Sequence, residues 1–167
     1  MNENKPNLMR DSMNPKCRWT VILPLFLVIF PITIHPYKST QMGIIAVIKK
    51  AERHIKKIGI EKAIIEFKNS KNIVIGDYSG MFFVSPLHPE LIGKNQFDYK
   101  DSTGALVVQE EINKAKAGGG WLKGRWRMNS MTGKYQCRKI YILPIAGNYY
   151  IGSWYHYSSD MPGVCLL

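Results

Sequence analysis

Residues 19–34 run for sixteen positions without a charged side chain, directly behind a segment carrying Lys5, Arg10, Lys16 and Arg18 against Glu3 and Asp11. An apolar run behind a basic amino-terminal segment is the pattern of a secretory signal, and it decides where the remainder of the chain folds. As a helix the run reaches about 24 Å, short of a hydrocarbon core of about 30 Å. Pro24 and Pro31 work against a straight spanning helix. No small-x-small cleavage site stands between Ile34 and Gly43, and Trp19 and Tyr37 are placed to act as interfacial anchors. Residues 1–38 therefore read as a signal peptide or as an N-terminal membrane anchor. A buried core helix rarely carries this flanking charge asymmetry. Either route predicts a body in the periplasm, or at the inner membrane facing it, with membrane contact through this segment.

Export reassigns the charge. The chain of 167 residues has a formal net charge of +11. Five of the 23 basic and two of the 12 acidic residues precede position 39, so the remainder carries +8. Its one dense cluster is Lys49, Lys50, Arg53, Lys56, Lys57 and Lys62. On a helix these oppose Ile44, Ile45, Val47, Ile48, Ile55 and Ile58, which makes them a solvated face. No nucleic-acid motif accompanies them, so no nucleic-acid partner is expected.

Helical periodicity extends over 41–68, with Gly59 interrupting it and a second short helix following. Residues 72–77 and 81–84 read as strands, and the Asp-Tyr-Ser-Gly run at 77–80 has hairpin turn chemistry. Residues 85–100 are Pro-rich and irregular. Asp101 is placed to cap a helix over 103–117, with Leu106, Val107, Ile112 and Ala115 as its buried stripe. Strands at 121–128, 135–145 and 149–157 complete a meander. This order predicts an α+β fold: a five-stranded antiparallel sheet, a long N-terminal helix, and one helix between strands two and three. The expected organisation is a leader over 1–38, a domain over 41–157 and a tail over 158–167.

Several stretches resemble the single Cache domains, the PAS-like extracytoplasmic sensor modules of bacteria. They are the 77–80 turn, the Pro-Leu-His-Pro-Glu-Leu-Ile-Gly-Lys-Asn run at 86–95, Lys100 and Asp101 with Gly104, Glu111 and Ile112 with Ala115, and Gly120 and Trp121 with Trp126. Tyr141 and Ile142, and the Tyr-Tyr-Ile-Gly-Ser-Trp-Tyr ending at 149–155, add to the match. The resemblance implies a signal-transduction sensor for small molecules, often short carboxylates, with a pocket between the sheet and the loop after the hairpin. The family's basic residue, three before its Tyr141, falls on Arg138, and its Trp in the first meander strand falls on Trp126. Two positions depart from the pattern: the family's His after the hairpin falls on Ser85, and its Tyr after the Gly-Trp pair falls on Gly124. The missing polar groups leave room for a larger or less polar ligand. The chain runs about ten residues past the sheet, and an output domain is not expected within it.

Arg138 offers a planar fork of donors suited to a carboxylate. Its alternative is a surface arginine paired with an acid. Trp126 and Phe83 are candidates for apolar walls, or simply for core. With Ser85 and Tyr141 they complete the candidate ligand-binding set. Arg125 neighbours Trp126 on the opposite face of its strand and is a weaker candidate. His88 stands apart from His35, His54 and His156, so no metal site is expected. Asp98 and Asp101 lack the spacing of a calcium loop, and no glycine run ends as a phosphate cradle does. No convergent nucleophile and base appear, so neither an enzyme nor a cofactor is expected. Cys137 and Cys165 either pair in an oxidising compartment or leave Cys137 buried and Cys165 free. Two functions follow: a binding module for a small ligand, or a degenerate domain of the same fold that docks to another envelope protein.

Overall fold

A computed structural model describes residues 36–165. The leader expected over 1–38 lies almost wholly outside them. Helix α1 (Pro36–Ile58) is followed by α2 (Ile60–Phe67), with Gly59 between them at φ 85°. Ile48, Ala51 and Ile55 repeat at helical spacing and are buried, while all six residues of the basic cluster are exposed. Lys49 and Lys56 both reach Glu52, at 3.0 and 2.8 Å. This is the solvated face that the spacing predicts. Among the described residues no helix is long and apolar enough to cross a membrane.

The sheet is antiparallel throughout. Strand β1 (Val74–Asp77) pairs with β2 (Phe82–Val84) on one side and β6 (Tyr149–Tyr157) on the other. Beyond β6 lies β5 (Tyr135–Ile145), which pairs with two short strands, β3 (Gly120–Trp121) and β4 (Arg125–Met128). The sheet thus has six strands where five are expected, because the predicted 121–128 strand divides in two. The register against β5 slips by one residue between the Trp121–Tyr141 and Arg125–Arg138 pairs, and Gly124 lies in the slipped stretch, where a Cβ would lie 2.2 Å from the Tyr157 hydroxyl and 3.2 Å from Cβ of Cys165. Cys165 is disulfide-bonded to Cys137, which settles the pairing left open by the sequence and ties the tail beyond β6 back to β5.

Each face of the sheet carries its own core. Helices α1 and α2 cover one, burying Ile48, Ile55 and Ala63 against Ile75, Leu143 and Ile151. Helix α3 (Val107–Lys116) covers part of the other, setting Val108, Ile112 and Ala115 against Val74, Phe82, Ile142 and Tyr150. The expected helix over 103–117 begins four residues late, and Asp101 does not cap it. Its carboxylate instead accepts from the Thr103 hydroxyl at 2.6 Å and from the backbone N–H of Thr103 and Ala105 at 2.8 and 3.1 Å. A carboxylate already closing its own turn competes with helix continuation, so the helix starts beyond it. Because α3 is only ten residues long, the rest of this face falls to the loop between β2 and α3.

Candidate functional site

A cavity of about 430 Å³ opens where α3 leaves that face uncovered. Its floor is the sheet, with Val74, Phe82, Ile140 and Trp154; the loop supplies Ser85, Leu87 and Leu91; α3 supplies Val108 and Glu111. Trp126, Met128 and Tyr135 line the side formed by the β4–β5 hairpin, where the rings of Trp126 and Tyr135 stack at 6.4 Å. The loop is held in place by its own hydrogen bonds. Gly93 N–H donates to Phe82 O at 2.9 Å, Gln96 N–H to Gly80 O at 2.8 Å, and the Asn95 side chain to Ser79 O at 2.9 Å.

Three arginines approach this site from β4 and β5. Arg125 donates to Glu110 and, at 3.4 Å, to Asp101. Arg127 donates to Asp101 at 2.5 Å. Burial alone would raise the Asp101 carboxyl, but the Thr103 hydroxyl, the Arg127 guanidinium and the two backbone donors outweigh it and hold it well below the usual carboxylate range. Arg138, opposite Arg125 in the ladder, differs from both. It lines the cavity, and among the described residues it has no carboxylate within ion-pair distance. Burial pushes its guanidinium down; Glu111 acts in the opposite sense, and Arg127 adds to the lowering. Its cross-strand neighbour His156 is lowered as well, by burial and then by Arg138, and its Nε2 is buried without a partner.

Glu111 is the counterpart of Arg138 within the cavity. Burial raises its carboxyl to about 7, against a hydrogen bond from Tyr150 and the field of Arg138, which pull it down. The Tyr150 hydroxyl donates to Glu111 Oε2 at 3.1 Å, and Tyr150 is itself pushed well up by burial and by that carboxylate. The Tyr150 ring lies across Gly76 on β1, where a Cβ would come within 2.7 Å of its hydroxyl. The position of the phenol against Glu111 therefore depends on a bare backbone at residue 76.

Of the five candidate ligand-binding residues, Arg138, Trp126 and Ser85 line the cavity. Phe83 and Tyr141 do not: both pack with the α1–α2 core, Phe83 edge-on to Tyr149 and Tyr141 edge-on to Trp121. In β2 the ladder shifts between Ile75 and Gly76, pairing Ile75 with Val84 but Gly76 with Phe82. This irregularity leaves Phe83 without a partner in register and gives the cavity Phe82 in its place. Tyr141 is an odd number of residues from Arg138 on a regular strand and so faces away from it. Sequence reasoning missed Glu111 as a site residue. The available signal was its place between Val108 and Ile112, an acid within the buried stripe of an amphipathic helix.

No curated protein matches the chain. Solved structures share its fold, three of them as follows. One is a methyl-accepting chemotaxis protein from Vibrio parahaemolyticus RIMD 2210633, at 18% identity and TM-score 0.61, covering 72% of this chain and 90% of that one. A second is the periplasmic sensor domain of a chemotaxis protein, at 16% identity and TM-score 0.61, covering 74% and 99%. The third is a Cache chemosensory domain whose structure explains its carboxylic acid recognition, at 18% identity and TM-score 0.59, covering 74% and 97%. The family model for single Cache domain 2 matches residues 45–153, which takes in most of α1, the whole of strands β1 to β5 and the first half of β6, and the chain belongs to that family.

Proposed function

We propose that this domain is an extracytoplasmic sensor module that binds a small carboxylate in the cavity, with no catalytic step of its own. The observation that carries this reading is Arg138: a guanidinium in a largely apolar cavity wall, without the acid partner that Arg125 and Arg127 each have. A buried unpaired charge is costly, and an incoming carboxylate that accepts two of its N–H groups relieves that cost. Trp126 and Ser85 flank the bound group. Phe83 and Tyr141 belong to the core that supports the sheet from behind. The segment 85–91 is the part of the loop nearest the ligand, and a ligand that binds its closed form more tightly shifts it closed. The amino-terminal segment delivers the domain to the periplasmic side of the membrane.

Thermal unfolding of residues 36–167 with sodium acetate, propionate, butyrate and octanoate tests the reading. Stabilisation by at least one acid that disappears in Arg138→Ala is the expected result. If no acid stabilises the domain, or if stabilisation survives in Arg138→Ala, the reading fails. In that case a protein-docking role for the same fold takes its place.

A further inference from the structure

The same cavity constrains its ligand beyond the presence of a carboxylate, and this inference rests on the reading above. We infer that the ligand is a monocarboxylate with an extended apolar body, such as a medium-chain or aryl-alkyl acid, rather than a two- or three-carbon acid or a dicarboxylate. Three observations carry it.

The first is size. A space of about 430 Å³ lies within the roughly 300–1,000 Å³ of cavities that hold drug-sized ligands, well beyond the bulk of a two-carbon acid. A short acid on Arg138 would leave most of the apolar wall facing water. The second is charge count. The cavity is lined by three cationic or potentially cationic side chains, Arg127, Arg138 and His88. Arg127 is engaged by Asp101, and His88 Nδ1 lies 3.1 Å from a Glu90 carboxylate oxygen. That leaves Arg138 for one carboxylate, and Glu111 in the same wall opposes a second.

The third is the route outward. The cavity meets solvent past Tyr99, Met128 and Tyr135, which are 45%, 59% and 60% exposed. Large apolar side chains concentrated at a cavity mouth mark a surface that is covered in use. Along β5 Arg138 lies between the Ile140–Trp154 pair on one side and the Tyr135–Met128 pair on the other, so an acid seated head-first on Arg138 with its body directed toward the mouth would run past Trp126 and out between Met128 and Tyr135.

Isothermal titration of the 36–167 domain with acetate, butyrate, succinate, octanoate, 3-phenylpropionate and octylamine tests this. Each methylene buried in an apolar wall tightens binding by up to about fourfold. Octanoate and 3-phenylpropionate are therefore expected to bind at least tenfold more tightly than acetate, and succinate more weakly than butyrate. Met128→Ala and Tyr135→Ala change exposed side chains, so the fold stays intact; each should weaken octanoate several-fold and leave acetate unchanged. If octanoate gains less than tenfold over acetate, or succinate matches or exceeds butyrate, the inference is overturned while the carboxylate site stands. If no acid binds, or octylamine binds as tightly as octanoate, the carboxylate site itself is overturned.

Discussion

Replacing Glu111 by Gln keeps an acceptor for the Tyr150 hydroxyl and removes the ionisation. Burial raises the Glu111 carboxyl to about 7 from an ordinary value of 4.5. Between those two values the folded protein holds a proton that the unfolded chain has released. Stability from this group is thus fully present below pH 4.5 and is lost as pH rises through 7. A separation of about 2.5 units corresponds to about 3 kcal/mol in total, of which about 2.5 kcal/mol falls between pH 5 and pH 8.5. His156 has the opposite slope, because its pKa is lowered from 6.5, but it is present in both proteins. Tyr150, Arg138, Glu110 and Arg125 also face Glu111 and are likewise unchanged. Urea unfolding of wild type and Glu111→Gln at pH 5.0, 6.0, 7.0 and 8.5 should give curves that converge or cross as pH rises. The variant should gain about 2.5 kcal/mol on wild type over that span, or roughly 10 °C in Tm for a domain of this size. Two curves that stay parallel within about 0.5 kcal/mol would refute the buried-acid reasoning.

Gly76→Ala should cost about 2 kcal/mol by forcing the Tyr150 ring off its seat, and the shift should appear in the tyrosine near-ultraviolet circular dichroism. Asp101→Asn removes the charge on which Arg127 and Arg125 converge and should cost about 3 kcal/mol in denaturant titrations. Reducing the Cys137–Cys165 bridge frees a loop with a sequence separation of 28 and should lower stability by up to about 3.5 kcal/mol, read by urea unfolding with and without reductant.

How far the sequence could carry these conclusions depends on which interactions are local. Strands β5 and β6 fall on the residues that the turns at 129–134 and 146–148 predict, and Gly59 breaks the N-terminal helix where the periodicity breaks. Both are set by short-range periodicity and turn chemistry. Most of the errors are tertiary. Asp101 precedes an apolar stripe as a helix cap does, yet one of its carboxylate oxygens closes a local turn with Thr103 and Ala105 while the other meets two arginines 24 and 26 residues further on. The single strand over 121–128 divides where its register against β5 slips by one residue. Phe82 replaces Phe83 in the cavity through a one-residue irregularity in β2, and period-two reasoning has no means to foresee it.

The site shows the same division more sharply. A sequence can show that two neighbouring strands carry three arginines, but not which arginine is left over once the acids are shared out. Asp101 and Glu110 sit in the loop and on the helix facing β4, so they satisfy Arg125 and Arg127 and leave Arg138 on the next strand without a carboxylate. Glu111, one residue beyond Glu110, turns inward because the helix turns about 100° per residue, and Tyr150 rather than an arginine meets it. One residue of helical phase therefore separates an acid that neutralises the rim from an acid that remains near its titration midpoint inside the cavity. The receptive charge at Arg138 and the poised carboxyl at Glu111 both follow from that phase, which the length of the 85–106 loop and the late start of α3 set together.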